Sequence, residues 1–216
     1  MGSIQMKLVV FDLDGTLNRT DLYAVPAHRT AFEELGMFGM TDEEIISNFG
    51  ASDSEYLKKM VPHLNGEQAR RHLSRVAELE SYFMKEFHGE YEGVTDMMSE
   101  LKEQGYWIAV CSNSSQTYIR MVLDTLNLSR FVDEIQELIE GKDKVYTLSL
   151  LLKRLRPQAA VMVGDRFYDM DAAVENGIPF IGCAYGYGKE AEMAAANVMV
   201  NCAGDITKAV RGLIGA

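Results

Sequence analysis

Four short runs in this chain are apolar at nearly every position, and each stops abruptly at polar residues or glycine. Lys7–Phe11 (K-L-V-V-F) ends at D-L-D-G-T, and Trp107–Cys111 (W-I-A-V-C) ends at Ser112 and Asn113. Residues 159–163 (A-A-V-M-V) end at Gly164 and Asp165, and P-F-I-G-C-A follows Gly177 and Ile178. A strand with one wet face alternates apolar and polar residues, so runs without alternation predict strands covered on both faces, as in a parallel sheet. Helical stretches separate them at roughly 95–104, 116–126, 144–155 and 169–176, the last closed by Gly177. Strand, helix and strand in repetition predict an α/β fold, a doubly wound parallel sheet with right-handed crossovers. Ligands bind outside the carboxyl ends of such strands. Asp12, Asp14, Ser112, Asn113, Asp165 and Asp169 all fall there, although they are scattered over most of the chain.

The segment 17–91 breaks the alternation and reads as helices only. Thr41 with Glu44 and Ser52 with Glu55 have the spacing of capping boxes. A longer helix over 67–88 is expected to place Leu73, Val76, Phe83 and Phe87 near one face. The expected organisation is an α/β core domain of residues 1–16 and 92–216, with a helical cap of residues 17–91 inserted after the first strand. Within that insertion the loop Phe49, Gly50, Ala51 and Ser52 is a candidate to face a substrate.

Of 216 residues, 21 are Lys or Arg and 32 Asp or Glu, a formal charge of −11 at pH 7. That balance, with no basic run, argues against nucleic acid and against an anionic membrane surface as partners. No run approaches the ~18 apolar residues of a membrane span. The N-terminal stretch lacks the apolar segment of a signal peptide, and Met6 stands where a myristoylation signal wants Ser or Thr. Cys111, Cys183 and Cys202 have neither disulfide-framework nor zinc spacing. A reducing, cytoplasmic setting is the expectation.

D-L-D-G-T sets two carboxylates two residues apart at a strand end, and Gly15 lets the backbone turn away from them. With Asp165 and Asp169 added, several acids crowd one pocket. Two like charges about 4 Å apart repel by roughly 4 kcal/mol at an effective dielectric near 20. Such a cluster is tenable with a bound cation or shared protons, and all-oxygen ligands select a hard divalent ion such as Mg²⁺. Beside it an Asp can attack phosphorus, and a second carboxyl can protonate the leaving oxygen and then deprotonate water. Ser112, the backbone after it, and Lys144 or Lys142 qualify as donors to the transferring group.

These motifs, in this order, resemble those of the haloacid dehalogenase superfamily, near its phosphoglycolate phosphatase-like branch, from Lys7 to about Val210. The resemblance implies a Rossmann-like core with an inserted α-helical cap. It implies that Asp12 is the nucleophile, and that Asp14 is the general acid and base with its backbone carbonyl on Mg²⁺. Ser112 becomes the phosphate-binding residue of the second motif, with Asn113 beside it. In G-K-D-K-V-Y-T-L the motif lysine is Lys144 in preference to Lys142. In G-D-R-F-Y-D, Asp165 is a direct metal ligand, while Asp169 acts through water or by orienting the lysine. The late I-P-F-I-G-C-A-Y-G-Y-G segment resembles the branch's last strand and its Gly-rich loop near the site. The chain departs from many relatives at Asn18, Arg19, Thr20 and Asp21, where an apolar residue followed by Asp-Ser is common.

The expected function is a Mg²⁺-dependent phosphatase acting on a small phosphorylated metabolite, phosphoglycolate-like or a sugar phosphate, by a monomer or homodimer. The alternatives are a sugar phosphomutase, a pyrophosphatase or nucleotidase on the same site, and a non-catalytic binding protein. G-Y-G-K-E-A fits a dinucleotide fingerprint in letters only, since it falls late in the chain and not in an early strand-helix-strand unit, so no nucleotide cofactor is expected. The four histidines, His28, His63, His72 and His88, read as solvated or core-edge residues, and the 13 methionines as core filling. Tyr185 and Tyr187, which flank the late glycine loop, read as packing residues.

Overall fold

The structure, a computed structural model, describes residues 6–215. Residues 1–5 of the N-terminal stretch considered above for a signal peptide or myristoylation lie outside the described residues. The chain divides into two units, an α/β unit up to Asn18 and from Glu90 onward, and a helical unit of Arg19–Gly89.

The α/β unit is built on one sheet of six parallel strands: β1 (Lys7–Phe11), β2 (Trp107–Cys111), β3 (Glu134–Gln136), β4 (Ala159–Gly164), β5 (Phe180–Cys183) and β6 (Val198–Val200). Their order is β3-β2-β1-β4-β5-β6, which puts β1 at the centre. The four central strands are the apolar runs seen in the sequence. The edge strands β3 and β6 escaped it because each has three residues, too few to display a period.

The helical unit holds α1 (Asp21–Glu34), α2 (Asp42–Ile46), α3 (Asp53–Met60) and α4 (Gly66–Met84), and the α/β unit holds α5 (Val94–Glu103), α6 (Gln116–Thr125), α7 (Lys144–Leu155), α8 (Phe167–Glu175) and α9 (Ile206–Ile214). Helices of the α/β unit cover both faces of its own sheet. On one face of the sheet Leu8, Val10, Ala109, Cys111 and Met162 pack with Leu148 and Leu151 of α7 and Ala172 and Ala173 of α8. The alternate residues Val9, Phe11, Ile108, Val110, Val161 and Val163 are equally buried, and strand alternation turns them to the other face, where α5 and α9 pack. Burial of each large apolar side chain among these is worth about 1.5–3 kcal/mol, and the fully buried positions of β1 and β2 are accordingly apolar throughout.

Register then sets the site. Phe11 pairs with Val110 of β2 and with Val163 of β4. Asp12 follows Phe11 directly, and Ser112 and Asp165 stand two residues past Val110 and Val163, so all three leave the sheet at its carboxyl edge.

In the helical unit α1 packs against α4 through Ala27, Ala31, Val76, Leu79 and Phe83, the alanines allowing close approach. Both expected capping boxes form, and Asn65 with Gln68 makes a third. The long helix is shorter than the sequence suggested: it ends at Met84, and Phe87 lies beyond it, half exposed. The buried face of α4 is His72, Val76, Leu79 and Met84. Among these, His72 stacks on Tyr56 and its Nε2 lies 2.7 Å from the Tyr56 hydroxyl. That hydroxyl also contacts His28 Nδ1 at 3.2 Å, and His28 Nε2 lies 3.4 Å from Glu80.

Candidate active site

The backbone after β1 leaves the sheet in one tight turn. Asp12 N–H still donates to Val163 O at 2.8 Å, which holds the residue to β4. Leu17 and Asn18 then donate to Leu13 O, and Gly15, at φ +85°, donates to Asn18 O. A side chain at Gly15 would meet both its own unfavourable φ and the Asp165 carboxylate and Tyr187 ring. Glycine is thus required twice over.

Asp12, Asp165 and Asp169 are buried, and one carboxylate oxygen of each lies within 4.8 Å of the others. Lys144 stands between two of them. Its Nζ lies 2.5 Å from Asp12 Oδ1 and 2.5 Å from Asp169 Oδ1. It is the first residue of α7, after Asp143, whose carboxylate accepts from Tyr146 N–H as the helix cap. Lys142, the other candidate from the sequence, instead lies 5.0 Å over the Tyr146 ring. Asp169 sits in the first turn of α8 and closes that turn, accepting from Arg166 N–H at 3.1 Å on its second oxygen. Asp165 accepts from Thr16 Oγ1 at 3.3 Å and from Tyr187 N–H at 2.6 Å. The backbone N–H of Gly188 also reaches Asp165. The late glycine loop is therefore folded directly onto Asp165, and a side chain at Gly186 or Gly188 would collide with that residue.

Ser112 is buried at the end of β2, where its N–H donates to Gln136 O, and its hydroxyl accepts from Ser114 N–H at 3.2 Å. Asn113 is half-buried in the same loop and is not part of the carboxylate trio. Asp14 stands apart from the trio too. Its carboxylate accepts from Asn18 Nδ2 at 3.1 Å and Tyr118 Oη at 2.9 Å on one oxygen, and from Ser114 Oγ at 3.4 Å on the other. Tyr118 was missed in the sequence. Its only signal was its place three residues into the helix that follows S-N-S-S.

Three acids against one lysine leave excess negative charge. Burial raises the Asp12 pKa well above its ordinary value, and the Asp169 charge raises it further, against the opposing pull of Lys144. Burial, with Asp169, pushes Asp165 up to about 7, although the Tyr187 and Gly188 N–H groups work the other way. Burial works against the Lys144 charge, yet Asp12 and Asp169 more than offset it, so the ammonium is held above the ordinary lysine range. Cys111, the last residue of β2, is a thiol pushed up to about 12 by burial and is no nucleophile at neutral pH. The donor set is oxygen throughout and its charge is unbalanced, so the residues present fit a hard divalent cation.

A six-stranded parallel sheet flanked by helices, with three buried acids and a buried lysine at its carboxyl edge, makes this unit an α/β fold with an acidic site where such sheets bind ligands. The chain belongs to the haloacid dehalogenase-like hydrolase family, which matches residues 9–183. It is 27% identical over 188 residues to the tyrosine-protein kinase PtkA of Mycobacterium tuberculosis, covering 85% of this chain and 64% of that one. It thus spans less than two thirds of that relative's length. It is also 27% identical over 197 residues to a phosphoglycolate phosphatase of Aquifex aeolicus, covering 85% of this chain and 87% of that one. The fold matches a haloacid dehalogenase-like hydrolase of Streptococcus pneumoniae with a TM-score of 0.81 at 20% identity, covering 97% of this chain and 99% of the other.

Proposed function

We propose that this protein is a Mg²⁺-dependent phosphatase that hydrolyses a small phosphomonoester through a phosphorylated Asp12. The observation that carries this reading is the buried arrangement of Asp12, Asp165 and Asp169 around Lys144. Likeness to a phosphoglycolate phosphatase supports a small phosphorylated metabolite, phosphoglycolate-like or a sugar phosphate, as substrate. The net charge of −11 supports the exclusion of nucleic acid and anionic membrane as partners. No helix among the described residues is long and apolar enough to cross a membrane. A cytoplasmic setting is part of the same reading.

The Asp12 and Asp165 carboxylates and the Asp14 backbone carbonyl are the groups proposed to hold the cation. When bound, a divalent cation supplies the charge neutralisation that lets a phosphate dianion enter an acidic pocket. The chain's own residues do the rest. Ser112, Asn113 and Lys144 bind and orient the phosphate oxygens. An oxygen of Asp12 attacks phosphorus, the ester P–O bond breaks, and the leaving oxygen takes a proton from Asp14. Water then attacks the phosphorus of phosphorylated Asp12 and gives its proton to Asp14, and the bond to Asp12 breaks. Ester and water become alcohol and phosphate, and every group returns to its starting state. Asp169 holds Lys144 in place. The helical unit is proposed as the cap that selects the substrate.

Phosphate release from a panel of phosphorylated sugars, phosphoglycolate, nucleotides, pyrophosphate and 4-nitrophenyl phosphate tests this reading. Asp12→Asn is expected to lower turnover by on the order of a thousandfold or more, and chelation to abolish it. Full activity in either case overturns the assignment. The name of the mycobacterial relative favours one second reading, transfer of the phosphoryl group to an acceptor hydroxyl in place of water. Turnover that requires such an acceptor would select it.

A further inference from the structure

Asp14 is gripped from two directions, from its own turn and from the start of α6. Asn18, which donates at 3.1 Å, belongs to the same turn as Asp14 and moves with it. Tyr118, which donates to the same oxygen at 2.9 Å, belongs to α6, an element 104 residues away in sequence. Tyr118 is itself anchored. Its N–H donates to the Oγ of Ser115, the residue that caps α6, at 3.3 Å. Side chains in a first helical turn lean back toward the helix N-terminus, and here that direction leads to the carboxyl edge of the sheet. The residues just before α6 are Ser112, Asn113 and Ser114, and Ser114 reaches the second Asp14 oxygen.

We infer that Tyr118 is a positioning residue, whose hydroxyl registers the Asp14 carboxylate against the phosphate-binding segment at the start of α6. The inference rests on the proposed role of Asp14 as proton donor to the leaving oxygen. A carboxyl on a turn has free side-chain rotations, and a stiff phenol on a capped helix removes them. Misplacement of a reacting group by about 1 Å costs on the order of a hundredfold in rate, and the loss of one of several grips costs less.

The test uses Tyr118→Phe, which removes one oxygen and keeps the ring. With enzyme in excess and Mg²⁺ present, the first turnover is followed on two esters. Release of 4-nitrophenolate needs no proton, whereas release of glycerol from glycerol 2-phosphate does. The expected result is nitrophenolate release within about twofold of wild type and glycerol release about tenfold slower. Equal slowing on both esters overturns the inference, because a purely structural role of the ring acts on both alike. So does wild-type behaviour on both. Failure of the underlying phosphatase reading looks different: wild-type protein then releases neither product, or Asp12→Asn releases both, and the inference falls with it.

Discussion

Lys144 occupies a position that local preferences disfavour, since a cation in the first turn of a helix opposes the helix dipole. Asp12 and Asp169, each 2.5 Å from its ammonium, explain why it stands there. One lysine does not balance three acids, and the surplus has a consequence for stability. Asp12 and Asp165 both have folded pKa values raised above the unfolded value, Asp165 to about 7. For a raised carboxyl the stability contribution is complete below the unfolded value of about 3.9 and is lost as pH rises through the folded value. Metal-free protein should therefore lose stability between pH 6 and pH 8, and a cation that favours the ionised carboxylates should restore it. The thermal midpoint measured with and without Mg²⁺ is expected to rise more at pH 8 than at pH 6. An equal or smaller rise at pH 8 would contradict the linkage.

Among the elements, the helices of Arg19–Gly89 show how much local sequence can do unaided. Thr41, Ser52 and Asn65 each cap a helix and each is answered by a side chain three residues on, so the starts of α2, α3 and α4 are written in four-residue signals. Ser52→Ala should cost about 1 kcal/mol, read as a lower urea midpoint with an unchanged slope. The far end of α4 carries no comparable signal. Residues 85–88 continue an apolar and charged pattern that suits a helix, yet the helix stops at Met84, and Phe87 is left half exposed. The edge strands β3 and β6 were illegible for the opposite reason: their pairing with β2 and β5 is long-range, and three residues carry no period of their own.

At the scale of the whole molecule the two units respond to acid in opposite senses. His72 is buried against Tyr56 and Phe32, and burial, with His28 nearby, lowers its pKa while Glu34 opposes. A depressed folded value contributes stability present above the unfolded value of about 6.5 and lost as pH falls through the folded one. Between pH 8 and pH 5.5, hydrogen exchange corrected for intrinsic rates should show protection falling in α4 and rising in β1 and β4 of metal-free protein. Movement of both in one direction would refute the opposition. The sequence by itself determined the class of fold, because residues such as Leu8 to Phe11 leave no face for water, and it determined the acids, serine and glycines at the strand ends, because apolar runs must stop where the chain leaves the sheet. Only the tertiary structure decided which side chains share a pocket. Register and the turn at Gly15 set Asp12, Asp165 and Asp169 around Lys144, fold the Gly186–Tyr187–Gly188 loop onto Asp165, and bring Tyr118 to Asp14. Asp12 with Lys144 and Asp14 with Tyr118 are each more than a hundred positions apart, and Asp165 with Tyr187 is 22 apart, so no local pattern encodes these contacts.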